Sequence, residues 1–363
     1  MAFVLFVAGE DSGDIVGEEA VRTALSLGFL ARGVGGRRMV EAGLESLFDF
    51  EKFPVSGFGD VFPKLSFFAS VAALLKREIL KADCAGVCLV DYPGMNLALA
   101  EFAKAHSKKV LYLEPPQIFA WKASRARKLA GTTLGVFFEI ERQAYERQGL
   151  KATLLRHPFV QTLPKAGGSR ASREPLVLFL PGSRSGALRR NLPLYLEAAR
   201  ELKTAKVVFF ASRRALLREL QGLLPKGFAC ELVPEASSAR ANLFAKASVV
   251  VAQPGTALTE AALSGASIVS AVKPDFLTFI LAKLFLKVPH LAMPNLILNK
   301  RAFPEFVATP FMSKKVAAAK LRASIEGSLG QDTSALTESL RQAMLCGSSV
   351  GELSLEFFSQ LLR

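Results

Sequence analysis

Residues 250–260 read Val-Val-Ala-Gln-Pro-Gly-Thr-Ala-Leu-Thr-Glu. The apolar run stops at Gly255 and a helical pattern begins at once, which predicts a buried strand, a tight turn and a helix N-terminus. The free N–H groups and partial positive charge of a helix N-terminus suit a phosphate. Gly255 lets the chain approach a ligand, Thr256 can cap the helix or bind an oxygen, and Glu260 follows one turn later. An ordinary strand–turn–helix unit with a good N-cap fits the pattern equally well.

Length and composition restrict the class of protein. The chain has 363 residues, half of them apolar, with 46 Lys and Arg against 32 Asp and Glu, a net charge of +14. This length predicts two domains, each with its own core, and the apolar content excludes a disordered chain. A basic chain attracts nucleic acid, anionic lipid or phosphorylated small molecules. The basic residues are scattered and no aromatic residues interleave with a basic stripe, so we expect no nucleic-acid partner.

Metal, redox and targeting signals are weak. The four cysteines lack metal-ligand spacing, only three histidines are available, and no Asp-x-Asp pair occurs. We therefore expect no metal and no cofactor, and a reducing compartment. The first residues lack the basic lead of a signal peptide, and no apolar run reaches the roughly 20 residues that a membrane-spanning helix needs.

Strand-like and helix-like segments alternate along residues 2–155 and again along 176–271. This alternation predicts an α/β protein with two Rossmann-like, doubly wound domains, each a parallel sheet covered by helices on both faces. Residues 166–174 are polar and contain Gly and Ser, which predicts a linker between a first domain at 1–165 and a second at 175–345. Ligands of such sheets bind outside the carboxyl ends of the strands, so we expect a cleft between two facing domains.

Seven short motifs occur in a fixed order, and together they carry a family resemblance. They are Gly9–Asp14, Val55–Phe58, Asp91–Asn96, Phe119–Trp121, Pro181–Arg184, Gly255–Ala257 with Glu260, and Met293–Leu296. Each motif alone is weak, but the ordered set is specific. Over about residues 2–305 the chain resembles lipid-A-disaccharide synthase, a family of GT-B-type inverting glycosyltransferases.

The resemblance implies a reaction and a location. The donor would be UDP-2,3-diacylglucosamine and the acceptor 2,3-diacylglucosamine 1-phosphate, giving a β-1′,6-linked disaccharide phosphate and UDP. The first domain would hold the acceptor and the base, and the second would hold UDP. The resemblance also implies that residues 346–363 form a helix that packs back on the first domain. The protein would work at the cytoplasmic face of the inner membrane, and a homodimer is left open.

Three positions depart from the family pattern: Pro115, Arg156 and Gln161, where the family usually has Ser, Gly and an acidic residue. These positions belong to the loop expected to act as the hinge between the domains and to the part of the site expected to bind the sugar, near His157. Two other interpretations stay open: another GT-B-like enzyme acting on UDP-GlcNAc, such as a 2-epimerase or a lipid-linked sugar transferase, and a non-catalytic protein that binds nucleotide sugars or anionic lipid. The ordered N-terminal motifs disfavour the first, because such enzymes share mainly the second-half nucleotide turn.

Sugar transfer needs a base for the acceptor hydroxyl and positive partners for the leaving diphosphate. Asp91 follows a strand and matches the family's catalytic carboxylate, although an Asp there can also cap the next helix. Glu10 and Asp14 are rival bases, although Glu10 more simply contacts the acceptor or orders the Gly13 turn, and Asp14 more simply caps the first helix. The motifs of the resemblance add further acceptor-side candidates: Ser12, Asp14, Asn96 and Trp121.

The second half supplies the candidates for UDP binding. An Arg beside a helix N-terminus is unfavourable unless an anion is present, and the guanidinium of Arg184 can grip a diphosphate in a bidentate way. Glu260 can accept the ribose hydroxyls, although charge complementarity in a first helical turn also explains it. Asn295 holds the donor or simply forms a turn. The remaining candidates are the main-chain and small-residue positions of the two turns, Gly182, Ser183, Gly255, Thr256 and Ala257.

Two apolar stretches carry flanking basic residues, at 65–75 and 276–288. Such stretches suit a helix that lies in the interface of an anionic membrane. Ordinary core packing is the alternative, and it explains most of these residues in a chain with 28 Phe.

Overall fold

The structure, a computed structural model, describes residues 1–9, 11–48, 65–120, 123–158, 160, 175–234, 237–286 and 288–363. The chain divides into two units: unit 1 comprises Met1–Pro158 with Leu345–Arg363, and unit 2 comprises Phe159–Met344. The predicted linker at 166–174, the motif at 55–58, and the candidates Glu10, Trp121 and Gln161 lie outside the described residues. The predicted domain boundaries stay predictions.

The strands of unit 1 form one parallel sheet in the order β3-β2-β1-β4-β5-β6-β7. They are β1 Phe3–Ala8, β2 Leu30–Val34, β3 Glu45–Ser46, β4 Cys84–Val90, β5 Lys109–Leu113, β6 Thr133–Val136 and β7 Ala152–Leu154. All six residues of β1 are buried, since helices cover this central strand on both faces. The core of the unit therefore lies on both sides of β1 and β4.

Unit 2 has a second parallel sheet in the order β10-β9-β8-β11-β12-β13. Its strands are β8 Leu176–Leu180, β9 Lys206–Ala211, β10 Ala229–Leu232, β11 Val249–Ala252, β12 Ser267–Val272 and β13 Glu305–Val307. The buried β11 is the strand predicted from residues 250–252. Aromatic packing of Phe179 on Phe209, with ring centroids 5.0 Å apart, joins β8 to β9.

Helices connect the strands. Those of the first half are α1 Asp11–Ser26, α2 Arg37–Glu41, α3 Leu65–Leu80, α4 Pro93–Ala105 and α5 Glu139–Glu146. The others are α6 Ser185–Ala199, α7 Arg214–Leu223, α8 Ser237–Lys246, α9 Thr256–Leu263, α10 Phe276–Phe285, α11 Met293–Ile297, α12 Lys314–Glu326, α13 Ser334–Leu345 and α14 Val350–Ser359. The basic segment after Trp121 is a 3-10 helix, Ala123–Leu129.

The last helix, α14, belongs to unit 1. The Phe358 ring lies edge-on to Phe6 of β1, with ring centroids 6.0 Å apart. The Glu19 carboxylate of α1 accepts a hydrogen bond from the Gly351 N–H at 2.9 Å. Residues that follow the second sheet in sequence thus complete the core of the first.

Both sheets confirm the α/β prediction of two Rossmann-like folds. In each, the chain winds outward from a first strand in one direction and then resumes on its other side, between β1 and β4 in unit 1 and between β8 and β11 in unit 2. Ligands of doubly wound sheets bind where the order reverses. A ligand site is therefore expected at the strand ends of these two switch points.

Core packing correctly explains α3 but not α10. Val71, Leu75 and Ile79 of α3 are fully buried, whereas no residue of α10 is. The packing interpretation of Phe276–Phe285 is therefore wrong, because this apolar helix lies on the surface of unit 2. Within the described residues, no helix combines the length and the hydropathy needed to cross a bilayer.

Candidate functional site

The switch point of unit 1 places Asp91 at the carboxyl end of β4, beside the end of β1. Ala8 pairs with Val90 in register, so both strands end together. A Cβ added to Gly9 would lie 2.4 Å from the Tyr92 ring, so this ring lies against the end of β1. The N-cap of α4 is Tyr92 rather than Asp91, and Asp91 has a left-handed backbone with φ 47°. The half-buried Asp91 is thereby held at the mouth of the sheet.

Asn96 anchors the turn that carries Asp91. This α4 side chain is fully buried, and its amide nitrogen donates to the carbonyls of Val7, Val90 and Asp91 at 2.9–3.2 Å. The Tyr112 hydroxyl donates to the same Asp91 carbonyl at 2.8 Å. In this structure Asn96 positions the Asp91 turn; its predicted contact with the acceptor stays a prediction.

A second carboxyl group, not singled out from the sequence, follows β6, two strands along the sheet from β4. Glu141 of α5 is buried and accepts hydrogen bonds from the N–H groups of Phe137 and Phe138, both at 3.2 Å. Its pKa is raised to about 7, mainly by burial; the two hydrogen bonds oppose this shift, and the Asp91 charge adds to it. In the sequence, Glu141 is marked only by its position as the third residue of a helix that follows a strand. That position indicates a helix-capping residue and not a site residue.

Asp14 and Ser12 lie in the first turn of α1, but Asp14 does not cap that helix as predicted. Its two carboxylate oxygens accept the N–H groups of Arg38 and Met39, each at 3.0 Å, at the start of α2. Burial raises the pKa of Asp14, and these hydrogen bonds oppose that shift. Asp14 therefore joins α1 to α2. Ser12 is half-buried, and its role on the acceptor side stays a prediction.

His157 is a packed aromatic residue. It lies 4.8 Å and 5.7 Å from the rings of Phe137 and Phe138, and burial lowers its pKa to about 3. Its imidazole is therefore neutral at ordinary pH. The neighbouring departure from the family pattern, Arg156, reaches Glu352 of α14 at 3.4 Å. It thus has a structural partner within unit 1.

The switch point of unit 2 brings the two predicted nucleotide turns together. Leu180 at the end of β8 pairs with Ala252 at the end of β11, so the turns that follow start side by side. Gly182 has φ 155°, and a Cβ there would lie 2.8 Å from Ala187 and 3.0 Å from the Leu188 nitrogen. Only glycine fits this turn against α6. Ser183 is exposed, and the exposed Arg184 occupies the N-cap position of α6.

The second turn is open beside its glycine. Gly255 is the N-cap of α9, and a Cβ there would meet only the Gln253 carbonyl, at 3.9 Å. Thr256 is exposed and Ala257 half-buried in the first turn of this eight-residue helix. The main-chain N–H groups at this helix start are therefore accessible to an anion.

Asn191, which we did not identify from the sequence, connects three strand ends. It is almost fully buried in α6, and its amide nitrogen donates to the Pro181 carbonyl at 2.8 Å and to the Gln253 side chain at 3.2 Å. Its side-chain oxygen accepts the Lys273 N–H at 2.9 Å. The turns after β8, β11 and β12 are thus joined by one side chain. An amide on an otherwise apolar helix face was the available signal.

Replacing Asn191 with Ala is expected to lower the free energy of unfolding by about 2–4 kcal/mol, because buried main-chain groups lose their partners. Denaturant titration of the purified protein measures this change. The control is Gln342→Ala, which removes an exposed amide of α13 and should change stability by less than about 0.5 kcal/mol. Equal midpoints for the Asn191 variant and the wild type would show that these bonds do not hold the turns.

Glu260 faces a cation that the sequence did not reveal. Its buried carboxylate pairs with Arg240 of α8, at 2.7 Å from Nε to Oε2 and 3.0 Å from Nη2 to Oε1. Burial raises the pKa of Glu260, and Arg240 opposes that shift. Glu260 lies beyond the first turn of α9, which contains no acidic residue. Charge complementarity in the first turn is therefore the wrong explanation for Glu260.

Asn295 is fully engaged in its own loop. Its amide nitrogen donates to the Phe303 carbonyl at 2.9 Å and to Glu305 at 2.8 Å, and its oxygen accepts the Phe303 N–H at 2.9 Å. Both amide hydrogens are used, so the side chain fixes residues 295–305. Its predicted contact with the donor stays a prediction.

Each switch point therefore gathers one predicted set: Asp91, with Asn96 behind it, in unit 1, and the Gly182–Arg184 and Gly255–Glu260 segments in unit 2. Among the described residues, no group of three His, Cys, Asp or Glu side chains could hold a metal ion.

The chain resembles known proteins in sequence and in fold. A sequence model of the lipid-A-disaccharide synthetase family matches residues 4–348. The chain is 33% identical over 330 residues to lipid-A-disaccharide synthase of Trichlorobacter lovleyi, covering 86% of each protein. It is 29% identical over 335 residues to lipid-A-disaccharide synthase 1 of Legionella pneumophila strain Paris, covering 84% of this chain and 83% of that one.

Solved structures share the fold at low sequence identity. The UDP-GlcNAc 2-epimerase of Methanocaldococcus jannaschii matches with a TM-score of 0.64 at 12% identity, over 99% of this chain and 100% of that one. MurG of Acinetobacter baumannii matches with a TM-score of 0.54 at 13% identity, over 100% and 99%. These two likenesses concern the fold alone. The family match and the relatives show that the chain belongs to the lipid-A-disaccharide synthase family, the glycosyltransferases of lipid A biosynthesis.

Proposed function

We propose that this chain transfers 2,3-diacylglucosamine from UDP-2,3-diacylglucosamine to the 6-hydroxyl of 2,3-diacylglucosamine 1-phosphate. Membership of the family supports the reaction. The observation that carries the residue assignments is the chemistry of the two switch points. One presents a carboxylate, Asp91, and the other presents two helix-start turns with an arginine, Arg184.

On the donor side, we assign the diphosphate to the turns after β8 and β11. The main-chain N–H groups of Gly255 and Thr256 lie at a helix start that has no side-chain cap, where negative charge is favoured. Arg184 adds a guanidinium that can bind two phosphate oxygens at once. As the anomeric bond breaks, negative charge grows on the leaving diphosphate. These groups then stabilise UDP more than they stabilise the intact donor.

On the acceptor side, Asp91 is the base. It takes the proton of the 6-hydroxyl while that oxygen attacks the anomeric carbon from the face opposite the diphosphate, which inverts the configuration. One C–O bond forms, the bond to the diphosphate breaks, and UDP leaves with the bonding pair. The backbone bonds from Asn96 and Tyr112 hold the Asp91 turn while its carboxylate takes up the proton.

The test is incubation with donor and acceptor, followed by UDP release and by the disaccharide product. Release of UDP only when both substrates are present supports transfer. Release with donor alone would instead show a hydrolase or an epimerase, and binding without release would show a non-catalytic protein. Chelation of divalent ions should leave the rate within about twofold, because we assign the diphosphate to protein groups; an essential metal would supply several kcal/mol of stabilisation.

We further propose that a group of exposed apolar residues of unit 2 binds the anionic surface at the cytoplasmic face of the inner membrane. This α10 surface consists of Phe276, Leu277, Leu281, Leu284, Phe285 and Phe311, each 40–75% exposed. Helix α10 follows the carboxyl end of β12. The neighbouring strand in the sheet is β11, whose carboxyl end leads into the nucleotide turn. Lys283 within α10 and the exposed Lys315, four residues after Phe311, add positive charge. Apolar area flanked by cations is what interfacial helices use.

Replacing Leu277 and Leu284 with Ser together should weaken binding to phosphatidylglycerol vesicles by about tenfold or more, because two exposed leucine side chains that leave water on binding are lost. Cosedimentation measures this, and wild-type binding should fall as salt is added. The control replaces two leucines elsewhere that are 45% and 47% exposed, Leu223 and Leu355, with Ser. Equal losses in both double variants would count against a dedicated surface.

A further inference from the structure

The pair between Arg240 and Glu260 has no part in the proposed steps of sugar transfer. Arg240 lies in α8 and Glu260 in α9, the helix that starts at the nucleotide turn. The guanidinium forms two parallel bonds, Nε to Oε2 at 2.7 Å and Nη2 to Oε1 at 3.0 Å. The Glu260 side chain is 8% exposed and the Arg240 side chain 22%. The Glu260 carboxylate is therefore largely shielded from solvent, and it lies one helical turn after the predicted diphosphate site.

Fold stability is a poor explanation for this pair. Taking a carboxylate and a guanidinium out of water costs about as much as their attraction returns, so apolar residues of similar size serve a core equally well. The start of α9 does not explain it either, since Glu260 lies beyond the first turn. A nearly buried pair behind an open helix start is better explained by a polar ligand that completes it.

The geometry leaves Glu260 able to accept more hydrogen bonds. An ionised carboxylate has about four lone-pair positions, and Arg240 occupies one on each oxygen. One position on each oxygen remains, which matches two neighbouring hydroxyl groups. A ribose carries such a pair, and acidic side chains of nucleotide-binding sheets accept it.

We propose that Arg240 is a positioning residue for the donor nucleotide, which fixes the Glu260 carboxylate so that its two oxygens accept the 2′- and 3′-hydroxyls of the ribose. This inference rests on the proposed function, because it requires a nucleotide at the α9 helix start. Lysine would not replace Arg240 fully, since an ammonium is a point charge and cannot form the two parallel bonds. The pair therefore determines selectivity for ribose over deoxyribose.

The experiment measures binding of UDP, 2′-deoxy-UDP and 3′-deoxy-UDP to the full chain by titration calorimetry. The wild type should bind each deoxy analogue about tenfold to 100-fold more weakly than UDP, the usual effect of a hydrogen bond to a charged group. In Arg240→Met this selectivity should fall to about threefold or less, because Glu260 is no longer held. Arg240→Lys should recover part of it. The control is Arg200→Met, at a surface pair with Glu197, which should keep the wild-type selectivity.

A double variant separates positioning from folding. Arg240→Met leaves a buried carboxylate without its partner, so it can unfold the protein. Arg240→Met combined with Glu260→Gln carries no buried charge, and it should show the same low selectivity as Glu260→Gln alone. A further loss in the double variant would show that Arg240 acts on the nucleotide directly, which overturns the positioning role.

The outcomes also separate this inference from the proposed function. Wild-type protein that binds UDP and both deoxy analogues equally overturns the ribose assignment and leaves the transfer reaction standing. Arg240→Met with unchanged selectivity overturns the role of Arg240 alone. Wild-type protein that binds no UDP overturns both the inference and the proposed function.

Discussion

Replacing Asp91 with Asn is expected to lower the transfer rate by roughly 10²–10⁴-fold, the usual contribution of a positioned general base. The amide cannot take the proton of the acceptor hydroxyl. Asn is the appropriate replacement because residue 91 has φ 47°, a left-handed conformation that Asn tolerates and Ala does not. The backbone of the turn, with its bonds from Asn96 and Tyr112, should therefore stay in place.

Transfer rate, UDP affinity and thermal midpoint of the Asp91 variant need to be measured together. UDP affinity and the midpoint should match the wild type, since the turns proposed to bind the nucleotide lie in unit 2. The control is Asp83→Asn, which removes the same charge from an exposed residue at the opposite end of β4. Near-normal transfer by the Asp91 variant would remove Asp91 from the role of base.

Replacing Arg184 with Ala is expected to weaken UDP binding by about 1–3 kcal/mol, the range for a hydrogen bond to a charged group. Arg184 is exposed at the start of α6, beside the Gly182 turn, so its loss should not disturb the core. Arg184→Lys should restore only part of the affinity, because the ammonium keeps the charge but not the planar fork.

Calorimetric titration with UDP is the measurement. Arg189→Ala, further along the same helix, is the matched control: it removes the same charge from a side chain that pairs with Glu219. If both alanine variants lose affinity equally, the effect is one of net charge. If neither does, Arg184 does not contact the diphosphate.

Much of the fold could be predicted because its signals are local. The apolar runs at Phe3–Ala8 and Val249–Ala252 and the glycine turns after them follow from side-chain period and turn chemistry. Parallel order and the position of the strand ends then follow from the alternation of strands with helices. Asp91, Gly182 and Gly255 could be placed at sheet edges on that basis alone.

The surface helix shows where local signals fail. Residues 276–285 have the composition of a core helix, and core packing was the simpler prediction for most of them. An apolar pattern reports that a helix prefers to leave water, but not which surface receives it. That depends on whether neighbouring elements cover the helix, and no described element buries any residue of α10.

Sequence alone determined the family, the two parallel sheets and the strand-end motifs, because each depends on patterns among neighbouring residues or on the order of short segments along the chain. Only the tertiary structure decided what the polar side chains do there. Asn191 joins turns that lie 62 and 82 residues further along the chain, and Arg240 meets Glu260 across two helices. Such partners are set by strand pairing and helix packing, which bring together residues whose separation in sequence carries no periodic signal.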